Sequence, residues 1–261
     1  MRRRQLIAAA LAGTADLAAP GIGRADSANV LKFIPQSDLA TLDPMFTTAS
    51  VTRCHAHLVF DTLYGMDNDY RANPQMVAGH VISEDGRQWD LTLREGLRFH
   101  DGSPVLARDA VASIQRWWRR DAFGAELAAR TDEISAPSDS VIRFRLNKPF
   151  ALLPDALAVI ISVPVIMPER LARTDPFKQV TEMICSGPFR FKADERVTGA
   201  RVVYEKFAGY VPRPDGRAEF ASGPKVVHFD RVEWTVVPDP AETASSMSAA
   251  SMVSSTSGVR S

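Results

Sequence analysis

A change of hydrophobic period between residues 85 and 120 constrains the fold of this chain more than any other feature. Apolar and polar residues alternate over 89–94, directly after the turn signal Asp85-Gly86, which is typical of a strand with one buried face. Over 107–120 the apolar residues recur instead at helical spacing and form one stripe. A period of two followed by a period near 3.6 predicts a mixed fold of strands and helices.

The same patterns predict the other elements of the chain. Apolar residues over 51–64 recur near helical spacing, with Ser50 or Thr52 as the N-cap and Gly65 just after the end. The apolar run 152–161 predicts a buried helix. Strands are predicted over the following residues: 31–34, 140–146, 189–191, 201–205 and 226–237.

Charge and motifs exclude several classes of function. The 31 basic residues equal the 31 acidic ones, so nothing favours binding to nucleic acid. Neither a phosphate-binding Gly-x-x-x-x-Gly-Lys nor a Gly-x-Ser-x-Gly elbow occurs, and Cys185 has no evident base in the sequence. We therefore expect a protein that is not an enzyme and needs no cofactor.

The two ends of the chain differ from its middle. Residues 1–25 carry three consecutive arginines, an apolar stretch and the small residues Gly23 and Ala25, which predicts a Sec or twin-arginine export signal. Residues 243–261 are rich in serine and have one charged and no aromatic residue, which predicts a disordered tail. Cys54 and Cys185 are the two cysteines, and we expect two lone buried thiols, with a disulfide as the alternative.

Several segments, in this order, resemble the peptide- and nickel-type solute-binding proteins of ABC importers, family 5. The most specific is Leu-Arg-Glu-Gly-Leu-Arg-Phe-His-Asp-Gly-Ser-Pro-Val at 93–105, which continues into the helix at 109–114. The other segments are Leu-Asp-Pro at 42–44, Val-Phe-Asp-Thr-Leu-Tyr at 59–64, Ser-Gly-Pro-Phe at 186–189 and Val-Pro-Asp-Pro at 237–240. Physically the 99–104 segment is a strand, a glycine turn and a proline, and His100 is expected to be a hydrogen-bonded turn histidine.

The resemblance implies a periplasmic-binding-protein-like α/β fold, in which two lobes close over a solute. Mapped onto this chain, residues 26–65 and 185–240 would form the base of the first lobe, and residues 66–184 an inserted subdomain. Family members are roughly twice as long, so the second lobe would be missing from this sequence. We therefore expect an incomplete family member with weak or no transport activity.

The resemblance also implies a site and partners. The first lobe would contact the solute through the segment after Leu-Asp-Pro, namely Thr47, Thr48, Ala49 and Ser50, and Phe123 would face the cleft from the inserted subdomain. The partners would be a small peptide or related solute and the importer permease. The protein would be a periplasmic monomer that binds without chemistry.

A metal site is the main alternative. Cys54, His57 and Asp61 fall at positions i, i+3 and i+7 of the predicted helix, so one face offers three ligands for a nickel-type ion. Two observations count against this alternative, namely the lack of a second ligand cluster and of a His-Glu-x-x-His motif.

Overall fold

The computed structural model describes residues 29–237. The predicted export signal at 1–25 and the predicted tail at 243–261 lie outside the described residues. In chain order the elements are β1 Val30–Phe33, α1 Ser50–Val59, β2 Tyr64–Met66, β3 Ala72–Pro74, β4 Val77–Ile82, β5 Gln88–Leu93, α2 Ala107–Trp117, α3 Ala122–Ala129, β6 Thr131–Ser135, β7 Val141–Leu146, α4 Leu153–Ala156, α5 Glu169–Ala172, β8 Phe189–Phe191, a 3-10 turn Ala193–Glu195, β9 Arg201–Lys206 and β10 Arg231–Thr235.

One sheet joins the two ends of the described chain. Its strand order is β1-β10-β9-β8, with β1 parallel to β10 and the other neighbours antiparallel. Tyr204 of β9 and Trp234 of β10 are buried on the face covered by α1, and their rings pack edge to face at 5.1 Å. The loop at 34–49 connects β1 of this sheet to α1.

A second, antiparallel sheet has the order β4-β5-β7-β6. Alternate residues of β5 and β7 are buried, as the sequence alternation predicts. The stripe of α2 packs on the same core, and its Trp117 donates from Nε1 to the Ser162 carbonyl at 2.7 Å. The assignment of 26–65 and 185–240 to a base, and of 66–184 to an inserted subdomain, stays a prediction.

The structure corrects the first predicted helix at both ends. Helix α1 ends at Val59 and not near Tyr64, because the next residues are held by distant segments: Gly187 donates to the Val59 carbonyl and Ile166 to the Asp61 carbonyl. Residues 64–66 are a strand. At the other end Ala49 is the N-cap residue and has no side-chain bond, so the predicted capping by Ser50 or Thr52 is wrong.

Two further elements are shorter than the sequence predicts. The apolar run 152–161 contains only the four-residue helix α4, since apolar composition predicts burial better than helix. The strand predicted over 226–237 is restricted to β10, because its partner β1 begins at Val30 and the end of β9 bonds to Asp230. No helix within residues 29–237 is both long and apolar enough to cross a membrane.

The cysteines differ in burial. Cys185 is fully buried, as predicted, and Cys54 is exposed on α1, so the prediction of two buried thiols is wrong for Cys54. The two thiols do not form a disulfide.

Candidate functional site

A groove lies where the end of β1 meets the start of α1. It encloses about 300 Å³. Its walls are mainly apolar, and its polar groups come from a glutamine, a serine and a thiol. The lining residues are Phe33, Ile34, Pro35, Gln36, Ser50, Val51, Cys54 and Trp234. Apolar walls with a few polar groups are typical of small-molecule sites.

The polar groups of this groove are uncharged. The Ser50 hydroxyl accepts a hydrogen bond from the Arg53 guanidinium at 2.9 Å and keeps its own proton to donate. Among the described lining residues there is no Asp, Glu, Lys, Arg or His. The groove therefore suits an apolar group, and the positive charge of Arg53 beside Ser50 disfavours a metal cation.

The predicted ligand segment forms the loop that enters α1. Thr47 accepts a hydrogen bond from the Ala49 amide at 3.2 Å, and Thr48 and Ala49 are exposed. Of these four residues, Ser50 lines the groove. The role of Thr47, Thr48, Ala49 and Ser50 in binding stays a prediction.

Phe123 lies apart from the groove. It sits on α3, is partly buried, and packs edge to face on Phe150 at 6.2 Å between ring centres. It is not among the residues that line the groove. Its predicted ligand contact stays a prediction.

Asp43, the acid of Leu-Asp-Pro, organises the loop before the groove. Its Oδ1 accepts from the Met45 amide at 3.0 Å. Its Oδ2 accepts from the Arg116 guanidinium at 2.7 Å and from the Val180 amide at 3.0 Å. Both side chains of the Asp43–Arg116 pair are essentially inaccessible, at 0% and 1% exposure. Sequence reasoning missed this role because Arg116 lies 73 residues away.

Asp61 is a second buried carboxylate. Its Oδ1 accepts from the Lys225 ammonium at 2.8 Å, and its Oδ2 from the Tyr210 hydroxyl at 2.8 Å. Burial, followed by the charge of Asp61, raises the pKa of Tyr210 and keeps this phenol protonated as a donor. Asp61 is thus a structural anchor for the loop after β9.

These contacts leave the predicted metal site unassembled. Asp61 follows the end of α1 and is committed to Lys225, while Cys54 is exposed on the helix. Burial, then the nearby Lys225 charge, lowers the pKa of His57 to about 4. No group of three potential metal ligands occurs within the part of the chain that the structure describes. The interpretation of Cys54, His57 and Asp61 as one ligand set is therefore wrong.

The neighbouring His55 and the turn residue His100 are structural. His55 is fully buried and its Nδ1 lies 3.0 Å from the Tyr204 hydroxyl; burial, then the charge of Arg196, lowers its pKa to about 3. His100 occupies the predicted turn, and its Nε2 donates to the Gly187 carbonyl at 3.0 Å. Burial lowers the pKa of His100 to about 4.

Cys185 is an unsuitable nucleophile in this fold. It is fully buried, and burial raises the pKa of its thiol well above the usual value, so the reactive thiolate is disfavoured.

Solved structures with the same fold are solute-binding proteins. The substrate-binding domain of an oligopeptide ABC transporter from Bacillus anthracis superposes with a TM-score of 0.67 at 16% identity, over 86% of this chain and 44% of that one. A binding protein in complex with agropinic acid from A. tumefaciens gives a TM-score of 0.65 at 22% identity, over 83% and 41%. These likenesses establish the periplasmic-binding-protein fold.

Curated proteins that are similar in sequence are also solute-binding proteins. The chain is 39% identical over 246 residues to the probable peptide ABC transporter periplasmic-binding protein y4tO of Sinorhizobium fredii, covering 91% of this chain and 45% of that protein. It is 28% identical over 213 residues to the glutathione-binding protein GsiB of Pectobacterium atrosepticum, covering 80% and 40%. The chain thus spans less than half the length of these relatives.

The family model described as bacterial extracellular solute-binding proteins, family 5 Middle, matches residues 71–257. The match covers most of the chain, including the segment at 93–105, which is the most specific part of the resemblance. The chain belongs to the bacterial extracellular solute-binding proteins of family 5.

Proposed function

We propose that this chain is the solute-recognising part of an extracytoplasmic binding component of an ABC importer, and that its solute is a peptide. The observation that carries the proposal is the apolar, uncharged groove at the start of α1 in a chain of this family. The peptide assignment is also supported by the relative with the highest identity among those described above, a probable peptide-binding protein.

The groove favours a peptide side chain over a metal ion. Its walls include Phe33, Val51 and Trp234, which offer apolar contact and no ionic ligand. We propose that Thr47, Thr48, Ala49 and Ser50 offer hydroxyl and backbone groups to the peptide backbone, which needs hydrogen-bond partners. Of these four residues, Ser50 lines the groove. Phe123 would contact a part of the ligand that lies beyond the groove.

The action of this site is binding without a covalent step. A solute that contacts two surfaces favours the closed arrangement of those surfaces, because it binds that arrangement more tightly. In our proposal the closed complex docks on the importer permease. The surface opposite the groove corresponds to the part of the relatives that this chain does not span, so affinity for the chain alone is expected to be weak.

We propose an exported, periplasmic protein that acts as a monomer and carries its export signal in residues 1–25. The basic and apolar pattern of that segment supports this location.

A thermal-unfolding experiment on the full chain tests the proposed ligand. A peptide with a leucine or phenylalanine side chain is expected to raise the melting temperature, whereas Ni²⁺ and an all-acidic peptide are expected to leave it unchanged. The matched variants are Cys54→Phe, which fills the groove and should abolish the shift, and Cys54→Ser, which should retain it. A shift with Ni²⁺ alone, or an undiminished shift in Cys54→Phe, would contradict the proposal.

A further inference from the structure

The last turn of α2 and the residues just after it direct two arginines at the loop that enters the groove. Arg116 and Arg120 are four residues apart, so their side chains lie on the same side of the helix and its C-terminal extension. Arg116 binds Asp43 at one end of the loop. Arg120 binds the carbonyl of Phe46, one residue before Thr47, at 3.1 Å.

The guanidinium of Arg120 also lies between two aromatic rings. It is 5.1 Å from the centre of the Phe46 ring and 5.0 Å from the centre of the Phe177 ring. A planar guanidinium binds such ring faces favourably while its edge remains free to donate. Phe177 belongs to the segment in which the carbonyls of Thr174, Asp175 and Lys178 accept from Arg116.

These contacts fix one end of the ligand loop. The amides of Met45 and Phe46 bond to Asp43, at 3.0 and 3.1 Å, and Arg120 holds the Phe46 carbonyl. The other end is fixed by Thr52, whose hydroxyl donates to the Thr41 carbonyl at 2.8 Å. The residues between these anchors are those predicted to contact the ligand.

We propose that Arg120 is a positioning residue that sets the conformation of residues 47–50 and, through it, the affinity of the groove. Arg120 itself does not line the groove. Its effect on affinity rests on the proposed function, whereas its effect on the loop does not.

Hydrogen exchange measures the effect of Arg120 on the loop, and peptide affinity measures its effect on the groove. We compare Arg120→Ala with Arg119→Ala, which removes an exposed arginine from the adjacent position. In Arg120→Ala the amides of Phe46 and Ala49, which donate hydrogen bonds within the loop, should exchange about tenfold faster, while those of β5 should be unchanged. The dissociation constant for the leucine or phenylalanine peptide should rise about tenfold, which corresponds to about 1.4 kcal/mol.

The conservative variant Arg120→Lys distinguishes the planar clamp from charge alone. We expect intermediate exchange, because an ammonium keeps the charge but lacks the planar fork. Equal exchange of the Phe46 and Ala49 amides in Arg120→Ala and Arg119→Ala, or full rescue by lysine, would overturn the proposal. If the wild-type chain binds no peptide, the proposed function fails, and the exchange result still decides the role of Arg120.

Discussion

Asp43 and Asp61 both lie in motifs that carried the family resemblance, and both are fully buried, yet the two carboxylates are neutralised in different ways. Asp43 faces an arginine that is itself buried and that also donates to backbone carbonyls of the segment 174–178. Asp61 faces Lys225, whose side chain is 16% exposed and whose one ionic partner among the described residues is this aspartate.

The difference follows from the two cations. Arginine offers five donors in a rigid plane and can join several segments at once, whereas lysine is a point charge on a flexible stem. Around Asp43 the arginine closes a network that includes the ligand loop. Around Asp61 the lysine and Tyr210 hold the loop after β9 against the end of α1. We therefore expect substitutions around Asp43 to lower the free energy of unfolding more than substitutions around Asp61.

The largest effect is expected for Arg116→Ala. This change leaves Asp43 buried without its counter-charge and frees the carbonyls of 174–178, so the free energy of unfolding should fall by about 3–5 kcal/mol. Urea unfolding measures it, with Arg119→Ala as the exposed control, expected within about 0.5 kcal/mol of wild type. A loss below about 1 kcal/mol in Arg116→Ala would show that the buried pair is not an anchor.

A smaller loss, of about 2–3 kcal/mol, is expected for Lys225→Met. Asp61 keeps its bonds from Tyr210 and from the Thr62 amide, and water can reach the site that the ammonium leaves. The same urea titration measures the change. A loss as large as that of Arg116→Ala would remove the distinction between the two regions.

The histidines of α1 predict a dependence on pH. The lowered pKa of His55 means that the folded state keeps it neutral while the unfolded state takes up a proton near pH 6.5. Its contribution is therefore complete above about pH 6.5 and is lost as the pH falls towards 3. At pH 5 the loss is about 2 kcal/mol for His55. The loss should be nearly the same for His57, because its lowered pKa of about 4 also lies below pH 5.

Comparing urea unfolding at pH 7.5 and pH 5.0 checks this expectation. His55→Asn should lose about 2 kcal/mol less than wild type over this interval. His57→Asn, on the same helix, should reduce the loss over this interval by a similar amount. Identical pH dependence in wild type and His55→Asn would contradict the assignment of a neutral buried histidine.

The smallest effect is expected for the half-exposed pair of Asp90 and Arg143. Both of its guanidinium–carboxylate bonds measure 2.7 Å, as good in geometry as the Asp43–Arg116 contact. Because these side chains are 26% and 34% exposed, Arg143→Ala should cost about 1 kcal/mol or less and depend on salt. A loss that matched Arg116→Ala would mean that geometry, and not burial, sets the cost.

Local patterns in the sequence correctly predicted the elements whose formation depends on nearby residues. The alternation at 89–94 and the stripe at 107–120 became β5 and α2, because one buried face decides each of them. The end of α1 escaped prediction, since it is decided by Ile166 and Gly187, more than 100 residues away. The start of β10 failed for the same kind of reason, because its partner β1 begins at Val30. The run 152–161 failed because apolar composition predicts burial better than helix.

The site was accessible to sequence reasoning only in part. Ser50 lines the groove, but the ligand contact that the resemblance implies for its segment stays a prediction. The strand patterns do not show that Phe33 and Trp234 line the same groove. Asp43 and Asp61 were recognised as parts of motifs, while their roles depend on Arg116 and Lys225, which no local period connects to them.

Alkylation of Cys54 tests the central claim, that the groove at the start of α1 is the peptide site, most directly. Cys54 is exposed at the groove, while Cys185 is buried with a raised pKa and provides an unreactive reference in the same molecule. We predict that iodoacetamide modifies Cys54 alone, and that a leucine or phenylalanine peptide slows the reaction at concentrations that raise the melting temperature. An unchanged rate of Cys54 modification at those concentrations would place the peptide elsewhere and contradict the account.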